Sequence, residues 1–229
     1  METSMVTSIV MPLLISFFVC MVIGPLVISF LTKQRMRQTV RDDGVQAHLK
    51  KTGTPTMGGI MIILSMLIAS SFFIGSHPRI IPVLVLSVGF GIIGFIDDYL
   101  KVIKQHADGL RAIHKMGLQV FVTVIFALYM TFSDEMSLNI IIPFTGGNYF
   151  ELGWFAYVIL FFAVVGTVNG TNFTDGLDGL AGSVTAAVAG FFVLASILVG
   201  GAAHPVASAM IGALLGFLIF NVFPAKIFM

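Results

Sequence analysis

The chain alternates long apolar blocks with short polar gaps, and about seven of those blocks approach the roughly 20 apolar residues that a helix needs to cross a bilayer. They cover 5–31, 57–76, 80–96, 116–133, 152–168, 179–199 and 206–224. The pattern predicts an all-α integral membrane protein, a polytopic helix bundle read as one transmembrane domain over 1–229. The stretch Met5 to Leu31 carries no charge, has no basic residue ahead of it and has no small-residue cleavage site, so a retained first helix is expected. Pro12, Pro25, Gly58, Gly59, Gly89 and Gly91 punctuate the blocks; in a bilayer such residues are tolerated and often mark close helix contact. Residues 134–151, with Pro143, Gly146 and Gly147, read as a loop. No soluble domain, linker, low-complexity tract or internal repeat stands out.

The charges sharpen this picture through their placement. Lys33, Arg35, Arg37, Arg41, Lys50 and Lys51 fall between the first and second spans, and Lys101, Lys104, Arg111 and Lys115 between the third and fourth. The alternate connections hold Arg79 with Asp134, Glu135 and Glu151. By the positive-inside rule the amino terminus is expected outside and both basic loops in the cytoplasm. Composition agrees: 57% hydrophobic and 10% charged residues, with a mean hydropathy of +1.02, are far from a soluble domain with about 25% charged residues. The net charge of +1 says almost nothing about partners, because the few charges are segregated along the chain; no nucleic-acid partner is expected. Cys20, the single cysteine, lies in an apolar run and reads as packing.

Three polar constellations share the predicted cytoplasmic side. In Phe95-Ile96-Asp97-Asp98-Tyr99-Leu100-Lys101 a span runs straight into adjacent carboxylates, which suits proton transfer or cation and phosphate work; a solvated helix end paired with Lys101 is the plain alternative. In Asn169 to Gly182 a short junction carries Asp175 and Asp178 three apart, which a helical start would put on one face, with Asn172 as a cap and glycines that let a ligand approach. In His48 to Gly59 lysines, threonines and glycines form a turn able to hold a diphosphate, although topology anchoring also explains Lys50 and Lys51. The turn from Lys104 to Lys115 adds basic groups. His48, His77, His106, His114 and His204 show no metal-ligand spacing.

Together with the closing Phe220 to Met229, these motifs resemble the polyprenyl-phosphate N-acetylhexosamine-1-phosphate transferase superfamily, most closely its phospho-N-acetylmuramoyl-pentapeptide-transferase family, over essentially the whole chain. The resemblance implies a Mg2+-dependent exchange in a bacterial cytoplasmic membrane: UDP-N-acetylmuramoyl-pentapeptide and undecaprenyl phosphate give lipid I and UMP, with the site facing the cytoplasm. It implies Asp97 as the base that readies the lipid phosphate, Asp98 as its support, and Asp175 as a third catalytic group and metal ligand. Asn172 and Asp178 would shape the nucleotide region, and Lys51, Gly176, Leu177, Asn221 and Phe228 the uridine pocket, with Lys50 able to exchange roles with Lys51. Thr56 and Lys115 are further substrate contacts, and a homodimer is compatible with the resemblance.

The resemblance also implies ten spans and, just after Met229, a Gly-Asp-Thr-Gly-Ser motif bearing the main magnesium ligand, so the chain is expected to be carboxy-terminally incomplete. A sister transferase using UDP-N-acetylglucosamine shares the paired aspartates. An ion-coupled transporter is the alternative from another class, but no charge lies at the centre of an apolar block.

Overall fold

A computed structural model describes residues 2–34, 36, 54–104, 109–133, 139–142, 145 and 148–229. The described residues hold seven α-helices: α1 (Glu2–Lys33), α2 (Gly59–Ser71), α3 (Ile81–Lys104), α4 (Ala112–Phe132), α5 (Phe155–Thr174), α6 (Leu180–Leu198) and α7 (His204–Asn221). Six of these are long and apolar enough to cross a membrane. The multi-pass, all-α bundle expected from hydropathy is therefore the fold.

The second predicted span is the exception. α2 has 13 residues, which rise about 20 Å where the hydrocarbon core is about 30 Å thick. Its start is set by contacts that hydropathy does not register. Met57 adopts a left-handed φ of 75°, and the Gly58 amide donates to the Phe228 carbonyl at 2.7 Å, so the apolar residues before Gly59 meet the chain's far end instead of extending the helix. At the other end the backbone turns through Phe72–Ser76 into a 3-10 turn, Pro78–Ile80.

α1, α2 and α7 pack mutually, and α6 lies on α7. From α2 a circuit of neighbours runs through α3, α4 and α5 to α6. α1 and α7 run parallel: Ser8 meets His204 near one end, and Gly24 faces Phe220 near the other. Two glycines spaced as Gly-x-x-x-Gly bring the backbones together. A Cβ built on Gly212 would overlap the Leu13 carbonyl and Ser16 Oγ, and one on Gly216 would stand 2.8 Å from Cys20 Cβ. Cys20 is fully buried there and packs as expected. Gly58, Gly89 and Gly91 also sit at close contacts, whereas the nearest atom to a Cβ on Gly59 is 3.9 Å away.

Consecutive helices are antiparallel where side chains join them, as in Asp97 with Lys115, Gln119 with Asn169, and Gly179 with Asn221. The ends of α3, α5 and α7 and the starts of α2, α4 and α6 consequently share one end of the bundle. The opposite end is tied by His204, whose Nε2 lies 2.9 Å from Ser8 Oγ and whose backbone amide donates to Ser196 Oγ at 3.1 Å. The predicted loop 134–151 contains a short hairpin, β1 (Ile140–Ile141) paired antiparallel with β2 (Tyr149–Phe150).

Candidate active site

Asp97 lies in the last two turns of α3 and is 5% exposed, where an apolar helix reaches its polar end. A carboxylate in such a place needs partners, and it has three. The Leu110 amide donates to Oδ1 at 2.8 Å; Lys101 Nζ and Lys115 Nζ approach Oδ2 at 2.9 and 3.2 Å. Lys101 also reaches Asp98 Oδ1 at 2.9 Å, so one ammonium group holds both carboxylates, from i+4 and i+3 on the same helix. Gly109 makes the amide contact sterically feasible, because a side chain there would collide with the Asp97 carboxylate and stand 2.6 Å from its carbonyl oxygen. The pairing with Lys101 matches the solvated-helix-end reading only in part: Asp97 is enclosed by a second helix and by the loop before it.

The second junction differs from the helical start expected for it. Asn172 is inside the last turns of α5 and caps nothing, and Asp175 is the residue that closes α5 (φ −78°, ψ 51°). Gly179, at φ 76°, is left-handed, so α6 cannot extend backwards to include Asp178. Asp175 and Asp178 therefore do not share a helix face. They flank a tight turn in which the Gly176 amide donates to the Thr174 carbonyl at 2.8 Å and Leu177 is exposed. Asn172, Asp175 and Gly176 are exposed around it, and Asp178 Oδ2 accepts the Ala225 amide at 3.1 Å.

Asn221 explains how this turn is held. Buried at the end of α7, it accepts the Gly179 amide at 3.0 Å and donates to the Ile227 carbonyl at 2.9 Å. Both ends of its amide are thus engaged with main chain. Phe228 is buried, with its amide donating to the Pro55 carbonyl at 2.9 Å, and Thr56 Oγ1 donates to the Met229 carbonyl at 3.3 Å. The 54–58 segment, the 225–229 segment and the α5–α6 turn form one connected framework. Lys51 and Lys50 lie outside the described residues. Replacing Asn221 by leucine leaves the Gly179 amide and Ile227 carbonyl unpaired, at about 1–3 kcal/mol each. Hydrogen exchange at Gly179 and across 225–229 is expected to accelerate while α1 amides stay protected; unchanged exchange at Gly179 would refute the anchoring role.

A residue outside all of the sequence motifs connects the two junctions. Gln119, 1% exposed, stands one turn after Lys115 on α4 and exchanges hydrogen bonds with Asn169 of α5 at 2.9 and 3.4 Å. Asn169 opens the stretch that ends in Asp175 and Asp178. Its amide partner was detectable in sequence only as an isolated polar residue in an apolar block.

Comparison with known proteins places the arrangement. A model of Glycosyl transferase family 4 matches residues 80–229. The phospho-N-acetylmuramoyl-pentapeptide-transferase of Acetivibrio thermocellus is 42% identical over 219 residues, covering 94% of this chain and 66% of that protein. This chain belongs to glycosyl transferase family 4, among its phospho-N-acetylmuramoyl-pentapeptide-transferases. The transferase of the same name from Clostridioides difficile is 42% identical over 226 residues (98% and 70% covered), and that from Bacillus subtilis is 39% identical over 229 residues (96% and 69%). The chain spans about two thirds of the length of these relatives. The stretch matched to glycosyl transferase family 4 contains Asp97, Asp98, Lys115 and the whole α5–α6 turn, but not Thr56. Relatives bearing this name do not favour the sister reading with UDP-N-acetylglucosamine.

Proposed function

We propose that this chain forms the lipid-phosphate and nucleotide-binding part of a transferase that moves phospho-N-acetylmuramoyl-pentapeptide from its UDP derivative to undecaprenyl phosphate, releasing UMP. The observation that carries the reading is the enclosed Asp97 carboxylate with its two lysines, at the same bundle end as the Asp175–Asp178 turn. Both substrates bring phosphates, and the acceptor is a lipid, so the reaction belongs at the edge of a membrane. The site faces the cytoplasm, in keeping with the charge bias of the loops.

In the reaction an oxygen of the lipid phosphate attacks the sugar-bearing phosphorus of the nucleotide, and the bond to UMP breaks. Asp97 takes a proton from the lipid phosphate, while Lys101 and Lys115, already within reach of Asp97, draw the phosphate to it and offset its charge. Asp98 shares Lys101 and keeps it in place. Asn172, Gly176 and Leu177 line the exposed turn where the nucleotide binds, with Lys51, Thr56, Asp178, Asn221 and Phe228 shaping its surroundings. Positioning and charge stabilisation account for most of the catalysis asked of such a site.

Mg2+ fits the donors at the second junction better than those at the first. Two lysine ammonium groups sit on the Asp97 carboxylate and oppose a further cation there, and Asp175 places a hard carboxylate donor at an exposed helix end. Among the described residues there is no ready cluster of three or more metal-binding side chains. Mg2+ is usually bound through one or two carboxylates together with substrate phosphates. When bound, it would neutralise the diphosphate oxygens. Asp175 would hold it, and Asp178 would support the turn.

The test is undecaprenyl-phosphate-dependent UMP release, offered UDP-N-acetylmuramoyl-pentapeptide or UDP-N-acetylglucosamine, from this chain and from a version extended to the length of its relatives. Release is expected with the muramoyl donor, in the extended version and with Mg2+. Release only with the N-acetylglucosamine donor would overturn the proposal.

A further inference from the structure

The hairpin between α4 and α5 has an unusual distribution of side chains for a segment facing water. Its register pairs Ile140 with Phe150 and Ile141 with Tyr149, so each face of the ribbon carries an aliphatic and an aromatic residue. All four are exposed, Tyr149 by 65% and Phe150 by 56%, and Ile142 beside them is exposed too. Neither face is therefore covered by the bundle. An isolated two-stranded ribbon is marginally stable at best in water, and packing an apolar face against a helix or further strands is what stabilises one. Here both faces lack cover.

The surroundings indicate what covers them. The hairpin follows the end of α4 and precedes the start of α5, and those ends are joined by Thr131 Oγ1 and Tyr157 OH at 2.9 Å. It lies, in consequence, at the bundle end opposite Asp97. The same end carries Tyr129, Phe132, Trp154 and Phe155, all exposed, with Trp154 and Phe155 in edge contact at 5.8 Å between ring centroids. These rings continue the lipid-facing surfaces of α4 and α5 into the hairpin. Tyrosine and tryptophan at the end of a span mark the level of the lipid headgroups, where an apolar ring and a polar edge are both satisfied.

We propose that the paired strands β1 and β2 lie in the headgroup and upper acyl layer of the leaflet opposite Asp97, as a membrane-embedded extension of the α4–α5 aromatic girdle. Lipid covers both of its faces. The ribbon buries its apolar side chains without a protein partner, and its strand hydrogen bonds satisfy part of its backbone at that depth. The proposal is independent of the transfer chemistry and needs no substrate to test.

The chain contains a single tryptophan, Trp154, which makes fluorescence specific. The protein is reconstituted in phosphatidylcholine–phosphatidylglycerol vesicles, some brominated near the headgroup end of the acyl chain and some near its terminal methyl. Two further variants move the reporter into the ribbon, Tyr149→Trp and Phe150→Trp, each on a Trp154→Phe background; both exchange one aromatic for another. Both ribbon tryptophans are expected to emit at shorter wavelength than tryptophan in water. They should lose most intensity to the shallow bromines, less to the deep ones and little to aqueous iodide. Strong iodide quenching with water-like emission at Tyr149→Trp and Phe150→Trp would put the ribbon in solvent and overturn the proposal. Shielding from both bromine and iodide would also overturn it, assigning the faces to protein: to a second copy if the shielding fades on dilution into excess lipid, and to another part of a longer chain if it appears only on extension.

Discussion

Replacing Asp97 by asparagine is expected to lower UMP release in the extended enzyme by about two to four orders of magnitude, the range lost when a positioned general base is removed. Asparagine has the same shape and can still accept the Leu110 amide through Oδ1. What disappears is the negative charge between Lys101 and Lys115 and the ability to take a proton. Neither lysine is stranded by the change: Lys101 keeps Asp98 at 2.9 Å, and the Lys115 side chain retains 20% exposure and can turn to water. The melting temperature should therefore fall far less than turnover, because both lysine side chains keep at least a fifth of their surface in water and neither becomes an uncompensated buried charge. A change in turnover without a matching change in stability separates catalysis from scaffolding. If stability and turnover instead fell together, and turnover recovered when the variant was stabilised by lipid, Asp97 would be a structural ion-pair partner.

Parts of this site were legible in sequence for a definite reason. Asp97 and Asp98 interrupt the hydropathy at the end of a span, where a charge is costly enough to need a purpose, and their partner Lys101 stands one turn away on the same helix. Local spacing was sufficient there. It misled at Asp175 and Asp178, since a spacing of three implies a shared face only if the helix runs through both, and left-handed Gly179 prevents that. Long-range partners were out of reach altogether. Gln119 and Asn169 are 50 residues apart, Asp178 and Ala225 47 apart, and Thr56 and Met229 173 apart. No periodicity connects such pairs.

The same division holds for the fold. Long apolar blocks gave way to long helices because a helix is the simplest way to satisfy every backbone group in lipid. α2 departs from that rule because the residues preceding it bond to the 225–229 segment. The hairpin was hidden because two-residue strands produce almost no pattern. The parallel contact of α1 with α7 was hidden for another reason: it depends on Gly212 and Gly216, which look no different in sequence from glycines facing open space.

That contrast among glycines makes the second large effect measurable. Substituting leucine at Gly212 is expected to destabilise the bundle by about 2 kcal/mol or more, the scale of an overpacked core. The obstacle is backbone: a Cβ at 212 meets the Leu13 carbonyl, which cannot rotate aside like a side chain, and the whole of α1 must shift. The shift would spread along the parallel pair to Gly216 against Phe17 and Cys20, and to Gly24 against Phe220, one residue before Asn221. Loss of helix packing should therefore reach the α5–α6 turn that Asn221 holds, although Gly212 lies far along α7 from it. Gly190 on α6 is the control, since nothing lies within 4 Å of a Cβ there and leucine should cost less than about 0.5 kcal/mol. The comparison is made by thermal unfolding in the same detergent, with accelerated hydrogen exchange at Gly179 as the remote readout. Equal melting temperatures for Gly212→Leu and Gly190→Leu would show that α1 and α7 are not locked by this contact.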